Sequence, residues 1–174
     1  GRLGTERHIV THVAGERFVL LDAAVTPLRL ALSSIGQVWN LRASTFGASL
    51  DDGSQSTVTL VGESLKPLSP VAISAVREVG NDVRIRWLRR ARIDGGLRDG
   101  VDIPLMEQSE AYEIDILNGT TVARTLTVST PEAVYNAAQQ MTDFGSLPTS
   151  LTLRIYQISG LVGRGNVGAA TVAL

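Results

Sequence analysis

Several residue patterns in this sequence have the types and spacings that could do chemistry. Gly163-Arg164-Gly165-Asn166-Val167-Gly168 matches the G-x-G-x-x-G spacing of a dinucleotide-binding turn. Such a turn works because a helix opens at its third glycine and aims N–H groups and the positive end of its dipole at a pyrophosphate. It also needs an acidic residue about 20 positions further on. Only six residues follow Gly168 here, so the motif reads as a glycine-rich loop between two strands. His8 and His12 have the spacing of a zinc-binding helix. That chemistry wants a glutamate directly after the first histidine as general base, and a third ligand downstream. Ile9 stands at the glutamate position and there are no further histidines, so no metal site is expected.

The densest charge lies at Arg84, Arg86, Arg89, Arg90, Arg92 and Arg98. A basic cluster of this size could hold phosphates. Yet Asp82, Asp94, Asp99, Asp102, Glu107, Glu110 and Glu113 share the same stretch and outnumber the arginines seven to six. Pairing across neighbouring strands, or with another subunit, is therefore the expected use, and arginine suits it because its planar fork binds carboxylates bidentately. Arg89, Arg90, Arg92, Asp94, Arg98 and Asp99, with Arg164 in the glycine-rich loop, are the candidate interaction residues.

Other patterns read as structure. Asn118-Gly119-Thr120 is formally a glycosylation sequon, but Asn-Gly is also the dipeptide best suited to a type I′ hairpin turn. Asp51-Asp52-Gly53 and Asp94-Gly95 lack the spacing of a calcium loop and read as turns. No G-x-S-x-G elbow occurs. No acidic pair lies in an apolar setting that would raise one pKa for glycoside hydrolysis. The absence of cysteine removes disulfides, thiolate metal sites and cysteine nucleophiles together. No catalytic residue and no cofactor are expected.

The elements that must position these residues are strands. From residue 82 to 116 the chain begins with strict alternation, placing Val83, Ile85 and Trp87 on one face and Arg84, Arg86 and Leu88 on the other. Tyr112, Ile114 and Ile116 repeat the pattern, with Glu113 and Asp115 opposite. A period of two, rich in β-branched and aromatic residues, marks half-buried strands. Residues 121–128 are the return strand of the Asn118-Gly119 hairpin, and residues 71–77, 83–90, 111–117, 151–159 and 166–174 are the others expected in this half.

Residues 130–145 carry two signals. Thr130, Pro131, Glu132 and Gly145 spell a helix by local rules, whereas a sandwich wants a strand near 133–138 followed by a helical turn at 139–143. The second reading is preferred. Upstream, runs at residues 17–22, 28–32, 38–44 and 57–62 suggest four further strands. Lys66-Pro67-Leu68-Ser69-Pro70 divides the halves, because proline lacks an N–H and biases its predecessor to extended conformations. The expectation is an all-β chain of two small antiparallel β-sandwich-like domains, residues 1–65 and 66–174.

The pattern WLRRARIDGG…DIPLMEQSEAYEIDI, preceded by KPLSPVAISA and, near the start, GERFVLLDA, resembles the C-terminal region of phage tail-tip proteins. It is most similar to the host-specificity (baseplate) proteins of gene transfer agents. The resemblance implies a fibronectin type III-like second domain and a virion part without catalytic residues. It also implies other tail and hub proteins as partners, three-fold assembly on the tail axis, and contact with a host surface receptor or glycan. One departure is Leu151, which stands where a fibronectin type III F strand usually has a corner tyrosine.

A net charge of −1 argues against generic nucleic-acid binding. No apolar run reaches the ~18 residues of a membrane span. The sequence starts at Gly1 without an initiator Met or a signal peptide and reads as a fragment or processed product. The competing reading is a carbohydrate-binding accessory sandwich of a secreted enzyme. That would show a strip of exposed aromatics, but only eight aromatics exist, and Trp87, Tyr112 and Trp39 fall on the faces read as core.

Overall fold

The computed structural model describes residues 9–20, 22–96 and 99–174. They divide into two units, one of Ile9–Leu65 and one that contains Lys66–Leu174.

In the first unit, β1 (Val38–Ala43) and β2 (Ser54–Thr59) form an antiparallel pair. Trp39 lies opposite Val58 and Asn40 opposite Thr57, whose hydroxyl donates to Asn40 Oδ1 at 3.0 Å. Of the four strands expected here, these two form. Residues 17–20 and 28–31 join no ladder, and Leu32 enters a 3₁₀ turn, Leu32–Ser34. Alternation supplies a strand with a face but not with a partner, and a ladder needs both. Trp39, expected in a core, is only half-buried.

The second unit is an antiparallel β-sandwich. One sheet has the order β3 (Val71–Arg77), β4 (Val83–Leu88) and β7 (Glu132–Tyr135). The other has the order β10 (Gly168–Ala173), β8 (Ser150–Ser159), β5 (Tyr112–Asn118) and β6 (Thr121–Val128), with the short β9 (Gly163–Arg164) paired to β8. This split, first, second and fifth strands against third, fourth, sixth and seventh when β9 is set aside, is a fibronectin type III-like arrangement.

The alternating positions meet between the sheets, as the period of two requires. Val83, Ile85, Trp87, Tyr112, Ile114, Ile116, Ala133, Tyr135, Leu151, Leu153 and Ile155 form one buried cluster. Trp87 and Tyr112 touch edge to face with ring centroids 5.1 Å apart, a favoured aromatic geometry. The Asn118-Gly119 turn closes the β5–β6 hairpin, and Gly119 takes φ +64° as a type I′ turn requires.

The ambiguous segment resolves into both elements in succession. β7 ends at Tyr135, and a two-turn helix α1 (Ala137–Phe144) follows. Its N-cap is Asn136, not Thr130. Asn136 Oδ1 accepts from Gln139 N at 2.8 Å while Gln139 Oε1 accepts from Asn136 N at 3.2 Å, a complete capping box. Gly145 ends the helix in the left-handed region, φ +70°. The preferred strand over 133–138 is therefore too long at its C-terminal end, because pairing with β4 stops at Tyr135 opposite Val83. The corner that a tyrosine usually closes is closed from the other side. Tyr135 donates its hydroxyl to Asp143 Oδ2 at 2.7 Å, and Leu151 is left to the core.

Candidate functional site

The longest connection in the sandwich runs from β4 to β5, residues 89–111. Loops of this length inside compact domains are uncommon and usually serve binding. Its base is built by β4 and β5, whose inward residues Trp87 and Tyr112 anchor both ends in the core.

From that base the candidate arginines turn back onto the loop's own carboxylates. Arg89 donates to Asp102 and lies 3.6 Å from Glu110. Arg92 Nη2 donates to Glu107 Oε1 at 2.8 Å, and that carboxylate is only 6% exposed. Arg90 Nε donates to the carbonyl of Ser69 at 2.9 Å. The Tyr112 hydroxyl donates to Glu110 Oε1 at 2.7 Å, and burial together with that carboxylate pushes the phenol well above its usual range. Asp94 is exposed and takes φ +54°, and Asp99 is exposed. Arg98 lies outside the described residues. The loop thus presents a face whose basic groups are engaged internally, with Leu88, Ile93, Asp94, Asp99 and Val101 outward. A cleft of about 390 Å³ opens beside it, lined by Trp87, Leu88, Arg89, Val101, Asp102, Ile103, Glu110 and Pro131.

Arg164 belongs to a different part of the sandwich. It sits on β9 over the outer face of β5, where Asp115 accepts from it through both oxygens at 2.7 and 3.0 Å. Glu113 accepts from its Nε at 2.6 Å, and its guanidinium carbon stands 4.4 Å from the centroid of the Tyr156 ring. Asp115 is 4% exposed although its strand face was expected to meet solvent. Burial opposes ionisation of its carboxyl, but the hydrogen bonds from Arg164 and Thr125 prevail and hold its pKa below the usual carboxylate range.

The glycines around Arg164 have close-packing duties. A Cβ on Gly165 would stand 2.8 Å from Pro67 Cβ and from the Gln157 carbonyl oxygen, and one on Gly168 would stand 2.3 Å from the Pro70 carbonyl oxygen. Asn166 N donates to the Pro67 carbonyl at 2.9 Å. The motif lets the last strands close onto the 67–70 segment, and β10, a strand, follows where a nucleotide site would need a helix.

The remaining motifs stay apart. His8 lies outside the described residues, and His12 is in a non-helical segment, where its Nδ1 is 2.8 Å from Glu16 Oε2 on the surface. Asp51 and Asp52 lie in a 3₁₀ turn capped by Ser49. Among the described residues no cluster of His, Asp and Glu is arranged to hold a metal ion, and no helix is long and apolar enough to cross a membrane.

Sequence reading missed a second buried polar group. Arg124 on β6 grips Asp143 of α1 with bonds of 2.6 and 2.9 Å, and Tyr135 joins on the same carboxylate. The contact with Arg124 and the hydroxyl of Tyr135 hold the Asp143 carboxyl below its usual range despite burial. Only the core-side position of Arg124, opposite Ile116, could have flagged it.

No family model and no curated protein matches this chain. Solved structures similar to it include the extracellular region of rat CD45, domains d3–d4 (12% identity, TM-score 0.44, 95% of this chain and 79% of that chain). FN3tt (16%, 0.39, 62% and 96%) and the FN5 domain of Drosophila Lar (15%, 0.34, 62% and 95%) are others. Likenesses at this level carry no functional argument.

Proposed function

We propose that this chain is a structural segment of the tail tip or baseplate of a phage or gene transfer agent, contributing to assembly and host-surface attachment. The observation that carries the reading is the stretch from Trp87 to Ile116. The residues that bear the resemblance to tail-tip proteins also anchor and staple the long β4–β5 loop. A loop held by its own ion pairs keeps one shape, so binding a partner costs less ordering entropy. On this reading the chain works by binding and not by catalysis. Its partners are other tail and hub proteins, in three copies about the tail axis, and a receptor or glycan on the host. Its place is the tip of an extracellular particle assembled in the bacterial cytoplasm.

The sugar-binding alternative gains no support from the aromatics. Trp87 and Tyr112 are buried, and Tyr156 lies beneath the Arg164 guanidinium.

Cryo-microscopy of tails from the source organism tests the proposal. Three copies of the sandwich at the distal tip, with residues 93–101 facing outward or against a hub protein, is the expected result. Tail-tip density that accommodates no such sandwich would refute it.

A further inference from the structure

The first unit has no core. Among its described residues the single buried one is Ser34, while fifteen large apolar residues from Ile9 to Val61 are 37–105% exposed. A full Val or Leu side chain is worth ~60–120 Å² at ~25 cal/mol/Å². At these exposures the fifteen together present on the order of 800 Å² of apolar surface, above the ~300–600 Å² patch typical of a monomer. A two-stranded ribbon over so little burial is not independently stable.

We infer that Ile9–Leu65 is a self-association segment, completed by the same segment of a second copy of this chain. Three observations select that occupant. The summed area matches the ~800 Å² that each partner contributes to a standard stable interface. The unit holds only eight charges in 57 residues, three basic and five acidic, for a net −2. Like copies therefore meet without strong repulsion, and apolar, charge-poor interfaces are those of homo-oligomers. The β1–β2 ribbon also keeps both outer edges open, so copies can extend one another's sheet. Beside it lies an apolar groove of about 580 Å³ lined by Leu28, Leu30, Leu32, Ile35, Val58 and Leu60. An extended apolar segment such as Phe18–Leu20, exposed at 64–85%, has the chemistry to enter it from the neighbouring copy. The inference stands on burial and goes beyond the tail-tip reading, which can fail without it.

The test is sedimentation equilibrium of the 174-residue chain from ~1 to ~100 µM, with hydrogen exchange followed over residues 9–65. The expected result is a mass rising above the 18.5 kDa of one chain, with amide protection in residues 9–65 rising in step. Leu30→Asp with Val58→Asp should weaken association on the order of 100-fold by forcing unpaired charges into the interface. The sandwich, monitored by the near-UV signal of Trp87, should stay folded. A single-chain mass throughout the range overturns the inference, whether residues 9–65 are protected (a unit that folds alone) or not (a unit that needs a different partner). Association undiminished in the double variant overturns it as well.

Discussion

Asp115 and Arg164 show how one outward position can become a buried one. Asp115 sits at the middle of β5, flanked by Thr125 on β6 and Arg154 on β8, and the fork of Arg164 covers it. Removing a partner from such a pair leaves a buried carboxylate with little compensation. Arg164→Ala should cost about 1–3 kcal/mol, discounted because the arginine is 40% exposed, and Arg164→Lys should recover only part because a point charge cannot bind both oxygens. Urea denaturation at neutral pH reads both.

The same contact sets a pH dependence. The folded pKa values of Asp115, Asp143 and Glu132 all lie below their ordinary values; for Glu132 the hydrogen bond from Arg86 is the largest cause. A depressed carboxyl contributes stability that is fully present above the unfolded pKa, about 4, and is lost as pH falls through the folded value. Thermal stability should therefore be level near neutrality and decline below about pH 4, with a shallower decline in Asp115→Asn, whose midpoint at neutral pH is already lower.

Among the elements, α1 shows local chemistry outvoting the template. At eight residues it is too short to be stable alone, and its ends are held by side chains. Besides the capping box, Asp82 Oδ1 accepts from Ala137 N at 2.8 Å, and the fully buried Gln140 donates to the carbonyls of Asn81 and Tyr135. Asn136→Ala should destabilise the sandwich by about 1 kcal/mol, read as a lower midpoint with an unchanged denaturant slope. Thr130→Ala should do little, because Thr130 caps no helix. The edge strand β6 shows an element guarded against unwanted pairing. Its register shifts between Ile116 and Leu117, and Arg124 points inward to Asp143, both devices that discourage edge-to-edge aggregation.

At the scale of the whole molecule, buried apolar surface is distributed unevenly. The cluster of eleven core residues lies entirely between Val83 and Ile155, so the material for independent folding is present in residues 66–174. That segment expressed alone should unfold in one cooperative transition with a midpoint within a few degrees of the same transition in the full chain, measured by circular dichroism. A segment unable to fold alone would mean that residues 9–65 contribute more than their burial indicates.

What the sequence by itself determined is periodic or local. The alternations at Val83–Trp87, Tyr112–Ile116 and Leu151–Ile155, the Asn118-Gly119 turn and the Gly145 stop are legible because a period of two, φ > 0 and a cap each depend on a few neighbouring residues. What tertiary structure decided is pairing over long separations. The bond from Arg164 to Asp115 spans 49 positions and that from Arg124 to Asp143 spans 19, so no local pattern announces them. The same holds for the close approach of Gly168 to Pro70, which turned a nucleotide-like spacing into a packing requirement. It holds too for residues 28–32, where the alternation of a strand is present and the partner is not. A strand's face is written in its own residues; its neighbour is chosen by the rest of the chain.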